Sequence, residues 1–400
     1  MIMKLFIATC FTAGGDVYPD EVSHERALRY SRIRQWLVLA GMIWSGAMSV
    51  VALVTGLSAG VRSQSRRLVP PTFGPTMPYT LVVSLLSFVA SLPLAYFGGF
   101  VVEHRYRLSN QNHQAWIVEE LKGLAVGLVI SPPLVQGVYW IIQHYPRRWW
   151  AILSALTIPF TVILANLVPV LILPLFNKFE PLRDRGLAKR IKGLAAAQGV
   201  RVSNVMQMNM SKQTKKANAF FTGFGKTKRI VLGDTLLDEF SADEVEVVLA
   251  HELGHQVHRD IWKLIGLGTL TTTAISYLTH RASEPLLRRF GARWGIDADG
   301  GAGDIAALPA LALVAGGASL VFLPLQNALT RHLIEHPADR FALDLTGKGD
   351  AFVRAMEKLG RMNLSNPTPS TLIKWLMYDH PTLQERIDFG RRYVSERNGQ

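Results

Sequence analysis

Six stretches of the chain carry no Asp, Glu, Lys or Arg: residues 35–61, 68–102, 123–146, 149–177, 264–280 and 305–330. A helix needs about 20 apolar residues to cross roughly 30 Å of hydrocarbon. Five of the stretches are long enough, and 264–280 is at the short limit. Pro70, Pro71, Pro75 and Pro78 open the second stretch, so its helix is predicted to start near Tyr79. Pro132, Pro133, Pro159, Pro169 and Pro174 lie inside others, where neighbouring helices can re-satisfy the backbone. One such run could be the core helix of a soluble protein; six are not explained that way. The pattern predicts a mainly α, polytopic membrane protein of about six transmembrane helices.

Polar segments divide the rest. The chain reads as an N-terminal segment (1–34), four spans within 35–177, a polar part (178–263), two spans within 264–330 and a polar tail (331–400). Leu187, Ile191 and Leu194 recur at helical spacing in 183–198, closed by Gly199. Val205–Met210 alternates like a half-buried strand, and Ala217–Thr222 and Arg229–Leu232 read as two more. Ser241-Ala-Asp-Glu244 is a capping box ahead of a helix over 242–258, expected to lead directly into the fifth span. Residues 295–304, rich in Asp and Gly, read as an exposed loop. At the N-terminus the apolar run Leu5–Gly15 is too short to cross a bilayer, and Lys4 alone is a weak signal-peptide start. An uncleaved interfacial segment is expected there.

Composition narrows the class. Of 400 residues, 49% are hydrophobic and 18% charged, which excludes disorder. The single Cys10 excludes a disulfide scaffold within the chain, and it lacks a partner motif for thiol catalysis. A net charge of +13 would suit a nucleic-acid protein or basic membrane loops. Near the span ends, Lys and Arg favour the N-terminus, 103–122, 178–263 and the tail from 331. The positive-inside rule therefore puts those segments on the cytoplasmic face.

The chemistry sits on the capped helix, where residues 251–255 read His-Glu-Leu-Gly-His. Histidines four apart share a helical face and can reach one metal ion. Glu252, one step round, can reach a water on that metal without ligating it. A tetrahedral catalytic zinc needs a third protein ligand and an open position. His280 is excluded because it ends the fifth span on the far side. Glu335 returns to the near side after two spans, with His332 and His336 as rivals. Asp339, one turn beyond, can hold the N–H of a ligating imidazole.

These residues resemble the integral-membrane zinc metallopeptidases typified by the type I CAAX prenyl protease. The resemblance runs from about Tyr30 onward. It includes Glu103–Gln111, Leu175–Leu182, Lys216-Ala-Asn218-Ala219-Phe220, Lys228–Leu237, HELGH at 251–255, Glu335-x-x-Ala338-Asp339 and Tyr378-Asp-His380-Pro381 with Arg386-Ile387. It implies a gluzincin-like peptidase part with a small β-sheet. His251, His255 and Glu335 would hold one Zn2+ per chain, with Glu252 as catalytic base and Asp339 behind the ligands. His380 and Arg386 are implied as oxyanion donors, the alternative being a C-terminal helix held by an ion pair. Asn218 and Ala219 are implied to bind the peptide in extended form, although Asn218 also reads as a turn former. The family has Ser-Arg two residues before its ligand glutamate; here three residues separate Thr330-Arg331 from Glu335, so no role passes to Arg331. His258 and Asp260 are left unassigned.

The expected partners are a peptide or protein, with a prenylated C-terminal CAAX tail as one candidate, and membrane lipids. Neither nucleic acid nor nucleotide is expected: Gly225-Lys226-Thr227 mimics the end of a phosphate loop, but Phe220 stands where its first glycine belongs. A quality-control peptidase cutting misfolded membrane proteins is the alternative substrate reading. A transporter with a structural metal site ranks below both, because ion pathways need charges and the six stretches carry none. Glycine- and proline-rich spans are expected to splay around a cavity opening toward the zinc.

Overall fold

The computed structural model describes residues 17–70, 74–223 and 228–399. The expectations for 1–16, Cys10 included, and for Gly225-Lys226-Thr227 lie outside the described residues.

Among the described residues, five helices are long and apolar enough to cross a membrane: α1 (Glu21–Val54), α3 (Thr76–Arg105), α4 (His113–His144), α5 (Trp149–Phe176) and α10 (Ile305–Thr346). A shorter α2 (Leu57–Leu68) follows α1 after Gly56, whose φ of 70° reverses the chain. The expected fifth span, 264–280, lies in α9 (Asp260–Phe290), a helix of 31 residues. Its length suffices, at about 46 Å. Its composition does not match the other five, because threonines and Ser276 dilute the apolar run. Thr273 and Thr279 donate to the carbonyls of Thr269 and Ile275 at 2.7 Å, so these hydroxyls are satisfied within the helix. The six expected spans thus resolve into five apolar helices and one more polar one.

The helices close a ring. α1 packs on α2 and α10, α2 on α3, α3 on α4, α4 on α5, α5 on α9, and α9 on α10. No more than 33% of the apolar stretch of any of the five is buried within the protein, which leaves most of each helix surface free to face hydrocarbon. The end of the ring remote from the peptidase part is tied by Arg62, which donates to Asp304 and lies 3.3 Å from Asp297. Asp304 also accepts from the Asp297 and Ala306 N–H groups at 2.9 and 3.0 Å. The segment 295–304 is exposed at residue 295 and over 297–300, as expected, and is anchored at its end by this buried ion pair.

The peptidase part carries a four-stranded sheet, one strand more than expected. β1 (Phe179–Pro181), β2 (Asn204–Met208), β3 (Ala219–Thr222) and β4 (Arg229–Gly233) lie in the order β1-β2-β4-β3. β2 and β4 are parallel, and the outer pairs are antiparallel. β1 spans three residues, too few for an alternating pattern to register. β3 is an edge strand. Val205, Ile230 and Leu232 pack with Leu187 and Ile191 of α6 (Arg185–Ala197), and with Val245, Val248 and Leu249 of the metal helix, into the largest core cluster.

After a short α7 (Asp234–Glu239), α8 (Ala242–Val257) begins with the expected capping box: Glu244 N–H donates to Ser241 Oγ at 3.4 Å, and Ser241 N–H to Glu244 Oε2 at 2.9 Å. The expectation that α8 runs directly into the next long helix is corrected. Arg259 stands between α8 and α9 at φ 55°, ψ 38°, and this left-handed residue breaks the helix. The C-terminal part contains α11 (Gly349–Asn363), α12 (Thr371–Met377) and α13 (Leu383–Asn398).

Candidate metal centre and peptide cavity

His251 and His255 lie on one face of α8, their rings 4.8 Å apart and nearly perpendicular. Their Nε2 atoms approach to 3.2 Å. Facing them is Glu335, with Oε2 3.5 Å from His251 Nε2 and Oε1 3.8 Å from His255 Nε2. Glu335 Oε2 is buried, and its close neighbours are the imidazole nitrogens of His251 and, at 3.1 Å, His380. A tetrahedral zinc with bonds of about 2.0–2.1 Å separates its ligands by about 3.4 Å. The two nitrogens and the carboxylate fit that donor set. Glu252 also offers an oxygen within 4.8 Å of both imidazoles, from the same helix. His332 and His336 stack on each other with ring centroids 5.8 Å apart and are not among the groups drawn to this point.

Gly254, inside the motif, permits the approach. A Cβ there would stand 3.1 Å from Phe341 and 3.3 Å from the Ala338 Cα, so its absence lets α8 and α10 close. Glu335 ends a π-helical turn, Arg331–Glu335, within α10. A π turn takes up one residue more than an α turn, which accommodates the extra residue between Arg331 and Glu335.

The far side of each imidazole is held by an acid. His251 Nδ1 lies 2.8 Å from Asp339 Oδ1, as expected from the sequence. His255 Nδ1 lies 2.9 Å from Asp260 Oδ2, and Lys263 Nζ reaches the other Asp260 oxygen at 2.6 Å. Asp260 was legible only as an acid in the first turn after the motif. Burial lowers the His251 pKa, but hydrogen bonding and charge from Asp339 outweigh it and raise it to about 9.

Arg386 donates from Nε to Asp339 Oδ2 at 2.9 Å and from Nη2 to Oδ1, and Nη2 is 3.3 Å from His251 Nδ1. The ion pair named as the alternative for this residue is present. His380 Nε2 lies 3.1 Å from Glu335 Oε2, and its Nδ1 is 2.8 Å from Asp379. Burial lowers the His380 pKa, yet Asp379 and Glu335 leave it raised overall. Arg331, given no role by the sequence, is buried and donates to the Tyr378 carbonyl and, at 3.1 Å, to that of Lys374, fixing the segment that carries His380.

Asn218, Ala219, His251, Glu252, His380 and Arg386 line one cavity of about 270 Å³. Asn218 immediately precedes edge strand β3, and its carbonyl accepts from Gly233 N–H at 2.9 Å. His280, excluded by topology, packs against Trp149 at 5.8 Å instead.

A ring of spans capped by a helix with two converging histidines and a facing glutamate defines an integral-membrane metalloendopeptidase. Residues 16–178 match the family described as "CAAX prenyl protease N-terminal, five membrane helices", and residues 181–393 match "Peptidase family M48". The chain belongs to the M48 family of zinc-dependent metallopeptidases. Within residues 17–178 the structure supplies four helices long and apolar enough to span, with α2 as the additional short one. Among relatives, an uncharacterized metalloprotease of Bacillus subtilis, YhfN, is 31% identical over 92% of this chain and 85% of its own. CAAX prenyl protease 1 of Saccharomyces cerevisiae is 28% identical over 96% of this chain and 88% of its own. The crystal structure of S. mikatae Ste24p shares the fold, with a TM-score of 0.83 and 24% identity over 97% of this chain and 93% of that one.

Proposed function

We propose that His251, His255 and Glu335 hold one zinc ion per chain and that Glu252 is the general base of peptide hydrolysis. The observation that carries this reading is the 3.2 Å convergence of the two Nε2 atoms opposite the buried Glu335 carboxylate, 3.5 and 3.8 Å away. Zinc in such a site supplies Lewis acidity, making water nucleophilic near neutral pH and polarising a carbonyl. Glu252 takes the water proton and delivers it to the leaving amine. His380, held by Asp379, donates a hydrogen bond to the developing oxyanion. Arg386 is a positioning residue: its Nε and Nη2 are engaged by Asp339, which in turn fixes the His251 ring.

The peptide lies extended along β3, its backbone paired with Asn218 and Ala219 at the sheet edge. The site faces the cytoplasm, because the basic loops flank it. The relatives' names point to a substrate with a prenylated C-terminal CAAX tail, and the apolar walls of the ring suit such a group. Cleavage by the purified protein of a farnesylated CAAX peptide, an unmodified peptide of the same sequence and a destabilised membrane protein tests this. Preference for the farnesylated peptide is expected; equal cleavage of the unmodified one removes the prenyl assignment and leaves the zinc chemistry intact.

A further inference from the structure

A second cavity, of about 1090 Å³, lies apart from the metal site. Edge strand β3 separates the two: residues 217–219 line the metal cavity, and 220–223 line the larger one. One wall of the larger cavity is α5, through Phe160, Leu164, Val168 and Leu173. These recur at helical spacing over fourteen residues, making an apolar stripe of about 20 Å along a membrane-crossing helix. The opposite end lies on the peptidase part and carries Arg201, Lys228 and Arg259.

Among the described residues no Asp or Glu lines this cavity. None of the three cations has an ion pair or a side-chain hydrogen bond among the described residues. Burial and the charge of Arg259 together lower the Lys228 pKa, so the two lie close enough to repel. Cations gathered without counter-charge at the head of an apolar trench are complementary to one kind of molecule: an amphiphile with an anionic head and a long hydrocarbon tail.

We propose that this cavity binds an anionic phospholipid, its phosphate held by Arg201, Lys228 and Arg259 and an acyl chain laid along the α5 stripe. A phosphate between these residues offsets their mutual repulsion. Arg259 is also the left-handed break between α8 and α9, so the headgroup sits at the joint where the metal helix meets the membrane.

The test is binding, read independently of peptidase activity. The full-length zinc-loaded protein is titrated with dioleoyl phosphatidylglycerol and dioleoyl phosphatidylcholine in detergent, with retained lipid counted by native mass spectrometry. Inorganic phosphate and an acidic unmodified peptide serve as competitors. We expect phosphatidylglycerol to be retained at least tenfold more tightly than phosphatidylcholine, and phosphate alone to compete only at millimolar concentration. Arg201→Gln with Lys228→Gln should abolish the preference while zinc content and melting temperature stay unchanged. Leu164→Trp, which fills the trench and leaves the cations in place, should weaken the two-chain lipid and spare phosphate; it also decides the matter should the double variant not fold. Equal retention of the two lipids, or displacement of phosphatidylglycerol by the acidic peptide at equimolar concentration, would overturn the assignment, the second outcome making the cavity a peptide site.

Discussion

His255 Nδ1 and Asp260 Oδ2 stand 2.9 Å apart across the left-handed turn at Arg259, so the break after the metal helix returns an acid to the histidine it has just passed. A straight helix would carry residue 260 past His255 by more than a turn. The turn thus does for His255 what Asp339, from a distant helix, does for His251.

Removing that acid should loosen the metal. Asp260→Asn is expected to lower zinc affinity by about 10- to 100-fold, the usual effect of losing a carboxylate behind a ligating imidazole. Competition with a zinc chelator measures it. Wild-type affinity in this variant would make Asp260 merely a partner of Lys263.

The two glutamates should separate metal binding from catalysis. Glu252→Gln should retain zinc and lose turnover by several orders of magnitude, whereas Glu335→Ala should lose zinc. Metal content by atomic emission, beside peptide cleavage, reads both. A metal-free Glu252→Gln would move Glu252 into the ligand set, and a fully loaded Glu335→Ala would move the third ligand elsewhere.

Gly254 allows close approach between α8 and α10, with Phe341 only 3.1 Å from where a Cβ would stand. Gly254→Val should push apart the two helices that carry the ligands. The expected result is weaker zinc binding and a destabilisation of about 1–3 kcal/mol from overpacking, measured by chelator competition and thermal melting. Unchanged zinc affinity would show that α10 moves aside without disturbing Glu335.

Glu244 couples the start of the metal helix to pH. Burial raises its pKa, but Lys358 at 2.7 Å and the Ser241 backbone together hold it below the usual carboxylate range. A lowered folded value means its contribution is fully present above the unfolded value of about 4.3 and fades as pH falls through the folded one. Glu244→Gln should therefore lower the melting temperature at pH 7, by an amount corresponding to about 1 kcal/mol of lost capping. The difference from wild type should shrink toward pH 4; a difference constant across that range would remove the carboxylate as its source.

Sidedness has a direct measurement. In a Cys10→Ser background, Ser395→Cys and Ala298→Cys should react with an impermeant maleimide from opposite sides of the membrane, residue 395 from the cytoplasm. Labelling of both from one side would mean that α9 does not cross, despite its 31 residues.

The spans, the capped helix and the HELGH face were legible because each writes a period into the sequence: long charge-free runs, a Ser-x-x-Glu start, histidines four apart. Asp339 was legible for the same reason, one turn from Glu335. Asp260 was not, because its role depends on Arg259 adopting a left-handed backbone that no periodicity announces. Arg331 was missed for a related reason: it acts on the carbonyls of Lys374 and Tyr378, and a carbonyl has no residue type. The threonines of α9 carry no charge, so the search for charge-free runs took as a span like the rest a helix whose polarity lies in its hydroxyls.

The residues that face one another around the metal site are drawn from both ends of the α9–α10 hairpin: His251, Glu252 and His255 before α9, and Glu335, in the later part of α10, with His380 and Arg386 beyond it. During synthesis the first group leaves the ribosome while the second is still unmade, and the two meet only after both helices have been inserted and turned back.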